Sequence, residues 1–437
     1  MNKIFAGLCT AALVGAIAAA PAAATNGMDM IGYGTRSIGM GGADVAVAGD
    51  AGNVSGNPAA VSEASASSAN IGVTVLMPSM SMKHDIDGPG SAPLDAVDSE
   101  SQLFIMPQIG YVHRLSGGPL AIGFGLYAQG GMGVDFQKVN SGMSATPDEL
   151  TSQVSFMRLN PLVSYKLNDA VTLGGTLMIG YSQCKFSMYP NTYSVGPDGK
   201  GGTADDFGGM DVTGLNSLGF AGRVGAQVKL GPMVRLGATY TSESTIKLDG
   251  GNAKLNFGQM KVNYDASLEN FTWPQEIEAG FAVTPATGLT VAADIKWINW
   301  SKSIDKPVLK INNPDQPVPM TSRDITFDMA WDDQWVYAIG VEYAVDAMNT
   351  LRAGFNYGKS PVPDANLNPL FPATVEKHLT LGYGLNLGQW AINLAYEHAF
   401  EKTQTNNNTN QQVNQFGPGL EVTHSQNTVS LDATYRY

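Results

Sequence analysis

Segments of about ten residues that alternate apolar with small or polar side chains recur from Ala69 to the end of the chain. In one of them, Ile122, Phe124 and Leu126 share one face of the predicted strand, and Gly123 lies on the other face. Residues 155–167 and 428–437 repeat this pattern. Successive side chains of a β-strand point to opposite faces, so each segment predicts a strand with one greasy and one small or polar face.

The links between these strands have two lengths. Short links, such as Gly231-Pro232 and Gly388-Gln389, alternate with long polar links, such as residues 304–323 and 361–376. Alternation alone does not separate a membrane barrel from a soluble sandwich, in which the apolar face would cover a core. Short turns at one end and long loops at the other are typical of an outer-membrane barrel.

We therefore predict an all-β fold, a transmembrane antiparallel β-barrel of about 14 strands over residues 69–437. An even number of strands lets the wall close without a free edge. Aromatic residues, among them Trp273, Trp300, Trp331, Trp335 and Trp390, are predicted near strand ends. Amphipathic rings are favoured at both membrane interfaces, although soluble sandwiches also contain aromatic strands.

The residues ahead of the strands form two regions. Lys3, an apolar run over residues 4–20 and a row of alanines predict a signal peptide over residues 1–24. Residues 25–68 are predicted to form a hatch inside the barrel, since the Gly- and Ala-rich stretch 39–59 cannot build a core of its own. On composition alone a flexible linker is the alternative. Asn53, Asn57 and Pro58 are the turn-forming residues of this stretch, and with Ala59 they make up the predicted hatch motif.

Charge and composition exclude several classes of protein. The formal net charge of −13 argues against a nucleic-acid partner. Cys9 lies in the predicted signal peptide, so Cys184 remains alone and no intramolecular disulfide is expected. The five histidines have no metal-ligand spacing, and no Gly-x-Ser-x-Gly elbow is present. We expect no metal, no cofactor and no enzymatic activity.

The polar face of the predicted strands carries charges of both signs into the lumen. Arg158 and Lys296 are candidate contacts for an anionic headgroup such as a carboxylate. The alternative is that such charges pair with one another and hold the hatch. Gly130, Gly131 and Gly133 interrupt the third strand and predict a bulge or kink there.

The link that follows the third strand is unusually apolar for an exposed loop. Met132, Phe136, Met143 and Leu150 predict an adaptable, greasy capture groove outside the barrel. Within the same link, residues 146–149 have the pattern of a helix start, with acids in the first turn.

Several motifs stand in order along the chain: Asp50-Ala-Gly-Asn-Val-Ser-Gly-Asn-Pro-Ala59, Gly123-Phe-Gly-Leu-Tyr127, Trp297-Ile-Asn-Trp-Ser301 and Ser360-Pro-Val-Pro-Asp364. Together they resemble the FadL family of outer-membrane transporters for long-chain fatty acids and aromatic hydrocarbons. The resemblance implies a fourteen-stranded barrel that is plugged by its N-terminal hatch and has a kinked third strand. It also implies capture of ligand in an extracellular groove, passage to an internal pocket and lateral release through a gap in the third strand.

Carried over to this sequence, the resemblance places the hatch motif at Asn57, Pro58 and Ala59, and the kink at residues 130–133. It implies a monomeric outer-membrane protein of a Gram-negative bacterium, whose partners are a hydrophobic ligand, membrane lipid and the barrel-assembly machinery. The terminal Tyr437 fits the aromatic end that this machinery reads. The expected function is passive transport of long-chain fatty acids. The alternatives are a channel for toluene-type aromatic hydrocarbons and a structural or adhesive surface barrel.

Overall fold

The computed structural model describes residues 25–83, 96–100, 103–115, 118–196, 199, 206–410 and 413–437. The predicted signal peptide, with Cys9, lies outside the described residues. The strands are β1 (Ser68–Lys83), β2 (Val97–Asp98), β3 (Phe104–Arg114), β4 (Leu120–Val139), β5 (Asp148–Lys166), β6 (Val171–Ser194), β7 (Phe207–Leu230), β8 (Val234–Thr241), β9 (Leu248–Asn256), β10 (Lys261–Glu269), β11 (Glu276–Ala286), β12 (Leu289–Ile298), β13 (Val308–Asn312), β14 (Ser322–Thr326), β15 (Gln334–Ala344), β16 (Asn349–Gly358), β17 (Lys377–Leu387), β18 (Trp390–Asn406) and β19 (Leu420–Arg436). Two short α-helices, α1 (Thr35–Gly39) and α2 (Trp300–Ser303), accompany 3-10 helices over Ala51–Asn53, Pro58–Glu63 and Asp364–Asn366.

A closed wall is formed by all the described strands except β2, β9, β10, β13 and β14. Each of the remaining fourteen pairs with a neighbour on both sides, and β1 closes the ring by pairing with both β3 and β19. The predicted barrel and its even strand number are confirmed. In the part of the chain that the structure describes, no helix has both the length and the apolar character needed to cross a membrane.

The two faces of the wall have opposite polarity. On the outer face Leu218 and Leu381 are 66% and 56% exposed, whereas on the inner face Thr428 and Asp432 of β19 are at most 3% exposed. Exposed apolar and buried polar side chains invert the arrangement of a water-soluble protein. The outer face is therefore suited to lipid and the inner face to a polar lumen.

Short turns join the wall strands at one end of the barrel, here called the short-turn end, and longer segments join them at the long-loop end. Two of the predicted polar links at the long-loop end are not plain loops. They contain the hairpin β9–β10 and the hairpin β13–β14, which continue the sheet beyond the edge of β7. Their alternating residues, such as Val262, Tyr264 and Ile311, bury one face against the lumen.

The predicted helix start at residues 146–149 is wrong, because Asp148 and Glu149 begin strand β5. The Asp148 carboxylate accepts hydrogen bonds from the backbone N–H of Asn191 and the hydroxyl of Thr192, both at 2.8 Å. These bonds join the start of β5 to the end of β6. An acid that would cap a helix therefore fixes two strands together instead.

Residues 25–67, called here the N-terminal segment, pack inside the barrel. Glycines on the wall allow the backbones to approach closely: a Cβ at Gly110 would lie 1.7 Å from the Ala51 carbonyl oxygen, and one at Gly237 would lie 2.1 Å from that of Val45. The backbone N–H of Val45 also donates to the Asp294 carboxylate at 2.9 Å. The segment is thus ordered by the surrounding wall, since it has little core of its own.

This close packing predicts that Gly110→Ala destabilises the folded protein. The added methyl would overlap the Ala51 carbonyl, and overpacking of this kind costs about 1–3 kcal/mol. Gly175→Ala on β6 is the matched control, because its Cβ would meet nothing within 4 Å. The melting temperature of each variant is measured from the heat-dependent shift in its gel mobility. Equal melting temperatures for the two variants would contradict this account of the packing.

Candidate functional site

An apolar cavity lies inside the barrel toward the long-loop end. Its empty space, including the part open to solvent, is about 410 Å³. No charged side chain lines it. The lining residues are Met28, Cys184, Phe186, Leu268, Phe271, Ile304, Pro307, Phe327, Met329, Trp331 and Phe371. Such a lining can bury an apolar molecule but offers no partner to a charged group.

The wall lacks strand pairing in one place near this cavity. Strands β3 and β4 pair only from Gln108 opposite Tyr127 to Arg114 opposite Ala121. Toward the long-loop end, β3 continues to pair with β1 and β4 with β5, but no ladder joins β3 to β4. Pro107 of β3 stands at the edge of this gap and has no N–H to donate.

The start of the N-terminal segment occupies this gap. The Met28 carbonyl accepts a hydrogen bond from the N–H of Gly131 at 3.1 Å, and Asp29 forms a bridge with Gly130. A Cβ at Gly130 would lie 2.0 Å from the Met28 oxygen, so only glycine allows this approach. Met28 also lines the cavity. One residue therefore contacts both the cavity and the gap in the wall.

Strand β4, the third strand of the wall, is irregular at the same place, where the sequence predicts a kink. The β4–β5 register shifts between Ala128 and Gly130, and Gly131 has φ of 155°. Gly133 lies in regular pairing, opposite Gln153. The extra residue, Gln129, donates from its side-chain amide to the Asp29 carboxylate at 2.8 Å. The irregularity in β4 is thus tied to the N-terminal segment.

A ladder of four aromatic rings runs from the cavity to β4 and β5. The ring centroids of Trp331 and Trp300 are 5.4 Å apart, those of Trp300 and Trp273 6.1 Å, and those of Trp273 and Phe156 4.6 Å. Trp331 lines the cavity, and a Cβ at Gly130 would contact Trp273 at 3.3 Å. The ladder therefore joins the cavity to the gap.

The expectation that aromatic residues mark the membrane interfaces is wrong for three tryptophans. Trp273, Trp300 and Trp331 are at most 2% exposed, whereas Trp335 and Trp390 lie on the outer face and are about half exposed. The three buried residues lie in segments between wall strands that fold into the lumen. All three lie outside the segments of alternating polarity, and this is the feature of the sequence that distinguishes them from tryptophans on the outer face.

Arg158 and Lys296 both point into the lumen but differ in their partners. Arg158 is 1% exposed, donates to the Ser244 hydroxyl at 3.0 Å and lies 4.8 Å from the Phe156 ring centroid. It forms no salt bridge with any residue that the structure describes. Lys296 lies 3.9 Å from a Glu278 carboxylate oxygen, and Glu276 and Asp29 also stabilise its charge. Glu276 and Asp29 stabilise the charge of Arg158 as well, so the two side chains differ in that only Lys296 has a carboxylate oxygen of a described residue within 4 Å.

Asn57, Pro58 and Ala59 lie where the N-terminal segment meets β5, β6 and β7. The Asn57 side-chain amide donates to the carbonyls of Val45 at 2.8 Å and Ala226 at 3.1 Å. Its oxygen accepts from the Ala59 N–H at 3.0 Å and so caps the 3-10 helix that begins at Pro58. Asn53 makes a single contact with the Asp44 carboxylate at 3.1 Å.

The four residues of the predicted capture groove do not form an exposed surface. Met132, Phe136 and Leu150 are at most 2% exposed and belong to the apolar cluster around the cavity. Met143 is half-buried beyond the end of β4. The first three face the lumen because the long strands β4 and β5 continue the wall past the predicted loop. Their part in ligand capture stays a prediction.

Polar cavities lie at the other end of the N-terminal segment. One, of about 730 Å³, is lined by charged residues that include Arg36, Asp50, Glu342, Arg352 and Arg436. Another, of about 810 Å³, is lined by Arg36, Lys229 and Arg235. Arg36 and Arg352 both bind Glu342 at 2.7 Å. Among the described residues, no group of three or more His, Cys, Asp or Glu side chains is arranged to hold a metal ion.

Comparison with known families identifies this arrangement. The model of the outer membrane protein transport protein family (OMPP1/FadL/TodX) matches residues 11–437. The chain belongs to this family. It is a β-barrel of the Gram-negative outer membrane, so the short-turn end is periplasmic and the long-loop end extracellular. No curated protein sequence matches the chain.

Solved structures of this fold include two toluene transporters and a FadL homologue. The P. putida toluene transporter TodX is 20% identical, with a TM-score of 0.78, and the match covers 94% of this chain and 99% of that one. A P. aeruginosa FadL homologue is 19% identical, with a TM-score of 0.74, and the match covers 94% of this chain and 99% of that one. The Ralstonia pickettii toluene transporter TbuX is 20% identical, with a TM-score of 0.71, and the match covers 93% of this chain and 99% of that one. At these identities the likeness shows the fold.

The contacts of Asn57 predict that Asn57→Ala loosens the N-terminal segment. The change leaves the Val45 and Ala226 carbonyls without this donor and removes a helix cap, a loss of about 1–3 kcal/mol. We expect brief ion-conducting openings in planar bilayers that the unaltered protein lacks. Asn53→Ala, which removes a single contact, should conduct far less. Silent bilayers for Asn57→Ala would contradict this role.

Proposed function

We propose that this protein carries hydrophobic molecules passively across the outer membrane, with long-chain fatty acids as its ligands. The observation that carries the proposal is the apolar cavity on the long-loop side of the lumen, with Met28 between the cavity and the gap in the wall. Burial of an alkyl chain gains about 0.8 kcal/mol per CH₂. A dry cavity therefore holds such a ligand better than a water-filled pore would.

The proposed exit is lateral, through the gap between β3 and β4. A ligand in the cavity moves along the rings of Trp331, Trp300 and Trp273 and passes Gly130 into the membrane. Residues 25–68 act as the hatch, and Gly27 to Asp29 are its moving part. The support for this division is that Met28 and Asp29 bond to the irregular part of β4, while Asn57 and the wall glycines hold the remainder.

The charged cavities at the periplasmic end argue against a straight route down the lumen. An alkyl chain leaving that way would displace water from Arg36, Glu342 and Arg352, which form a mutual network. Removing water from charged groups without replacing it costs several kcal/mol. The lateral gap opens instead toward lipid, which is as apolar as the ligand.

Arg158 is the proposed contact for the fatty-acid carboxylate. Its guanidinium is buried, has no salt bridge within the described part of the chain, and lies beside Phe156 at the end of the aromatic ladder. A charge-assisted bond to a carboxylate would satisfy it. Lys296, the second candidate from the sequence, already has a Glu278 carboxylate oxygen at 3.9 Å and is the weaker choice.

A second candidate function is uptake of toluene-type aromatic hydrocarbons. The observation in its favour is the aromatic lining of the cavity, in which the rings of Phe186 and Phe327 meet edge to face with centroids 5.7 Å apart. Related structures TodX and TbuX are described as toluene transporters. Folding through the barrel-assembly machinery and a monomeric state stay predictions.

Cys184 provides a direct test of ligand binding in the cavity. Its thiol is buried and lines the cavity, so a bound ligand should shield it from an apolar maleimide. At a long-chain fatty-acid concentration ten times the Kd, modification should slow about tenfold. Toluene serves as the competing aromatic ligand.

Each outcome of this test decides between the candidates. If the fatty acid protects Cys184 and toluene displaces it only weakly, the result supports fatty-acid transport. Protection by toluene alone moves the assignment to aromatic hydrocarbons. No protection by either ligand at saturating concentration contradicts both. In Arg158→Leu the fatty acid should lose at least about tenfold in affinity, whereas toluene should bind as before.

A tether on the N-terminal segment tests the proposed lateral exit. Asn26 lies against β16, where a Cβ at Gly358 would be 3.0 Å from the Asn26 side-chain oxygen. Asn26→Cys with Gly358→Cys, in a Cys184→Ala background, should form a disulfide that holds Met28 in the gap. We expect uptake of labelled fatty acid by transport-deficient cells to stop on oxidation and return on reduction.

The two single-cysteine variants, each in the Cys184→Ala background, are the matched controls and should transport in both redox states. The oxidised tether should still bind fatty acid in the refolded protein. Normal uptake with the tether fully oxidised would contradict movement of Met28 as the opening step.

A further inference from the structure

Two hydrogen-bond donors on the aromatic ladder are buried and lack acceptors. The indole N–H groups of Trp331 and Trp273 have no partner among the residues that the structure describes, and both side chains are at most 2% exposed. Trp300, between them, does have a partner: its N–H donates to the Gln334 side-chain oxygen at 3.3 Å. Of the three tryptophans of the ladder, only Trp331 and Trp273 thus lack an acceptor.

Unpaired buried donors are unusual, because an N–H removed from water without an acceptor destabilises the fold. Trp331 is the only residue among those lining the described cavity whose side chain carries an N–H or O–H group. The rest of the lining is aliphatic, aromatic or sulfur-bearing and offers no strong acceptor. A ligand in the cavity is therefore the natural source of an acceptor for Trp331.

The second donor lies farther along the ladder. Trp273 contacts the position of Gly130 at the gap, and its carbonyl accepts from the Ser244 N–H at 3.0 Å. The Ser244 hydroxyl accepts from Arg158 at 3.0 Å. The order along the ladder is thus the Trp331 donor at the cavity, the Trp273 donor at the gap, and the Arg158 guanidinium beside it.

We propose that the indole N–H groups of Trp331 and Trp273 bind the hydrogen-bond acceptor of the ligand at successive positions between the cavity and the gap. This inference rests on the proposed function and adds a selectivity to it. The site prefers apolar molecules that carry an oxygen acceptor at one end over hydrocarbons of the same length. Neither tryptophan requires the acceptor to be charged, so alcohols and ketones qualify along with carboxylates.

The test compares two uncharged ligands of equal chain length, dodecan-1-ol and dodecane, by equilibrium binding of the labelled compounds to the refolded protein. The unaltered protein should bind the alcohol about tenfold more tightly than the alkane, as expected for one additional buried hydrogen bond. Trp331→Phe keeps an aromatic ring but removes the donor. It should reduce this preference to about twofold or less while alkane affinity stays within about twofold.

Two further variants separate loss of the donor from loss of shape. Benzothienylalanine in place of Trp331 keeps the bicyclic ring and exchanges the N–H for sulfur, so it should abolish the preference as Trp331→Phe does. Trp297→Phe, on a tryptophan whose N–H already donates to Asp333 at 3.2 Å, should leave the preference unchanged.

The outcomes separate this inference from the function on which it rests. Equal affinities of the unaltered protein for alcohol and alkane would overturn the inference and leave hydrophobic transport standing. A preference that survives benzothienylalanine at position 331 would overturn it as well. If neither compound binds, the proposed function fails first and the inference fails with it.

Discussion

Among the described strands of the wall, β3 and β4 separate beyond Gln108 and Tyr127, and the backbone of Met28 and Asp29 bonds to β4 at that place. Backbone N–H and C=O groups inside a membrane must be paired, because lipid offers them no partner. The Gly131 N–H finds its partner in the Met28 carbonyl rather than in β3. Withdrawal of Met28 would leave polar groups of β4 facing lipid, so in the proposed cycle the gap opens only when a ligand compensates for that cost.

Two environments share the lumen, and the N-terminal segment separates them. On its extracellular side are the apolar cavity and the tryptophan ladder. On its periplasmic side are Arg36, Glu342 and Arg352 with their polar cavities. An apolar ligand gains free energy on the first side and loses it on the second. This asymmetry gives the proposed lateral route a physical reason that does not depend on any relative.

Much of the architecture could be predicted from the sequence, because a period of two reports directly which side of a wall a residue faces. The alternation around Ile122 and Phe124 and the even strand number follow from local chemistry. The close packing of the Gly-rich segment around Asn57 does not, since its composition also fits a flexible linker and the wall provides the contacts. The cap that Asn57 places on its own 3-10 helix is a local contact, and turn-forming residues indicate such a contact in the sequence.

The site was harder to predict, because its residues come from segments outside the alternating pattern. Trp273, Trp300 and Trp331 lie between wall strands, and only the fold brings their rings together. Met28 has no local signal, since its role comes from a backbone bond to Gly131, far along the chain. Phe136 and Leu150 resemble loop residues in the sequence, because the ends of long strands such as β4 and β5 have the pattern of an apolar loop.

The central claim is that ligand leaves the lumen through the wall. A long-chain fatty acid with a photoreactive group near its methyl end, activated in the membrane-embedded protein and mapped by mass spectrometry, tests this most directly. The account predicts adducts at Met28, Trp331 and Trp273 and on residues 128–134 of β4. Adducts on Arg36, Val47 or Arg235, which line the periplasmic cavities, would contradict it.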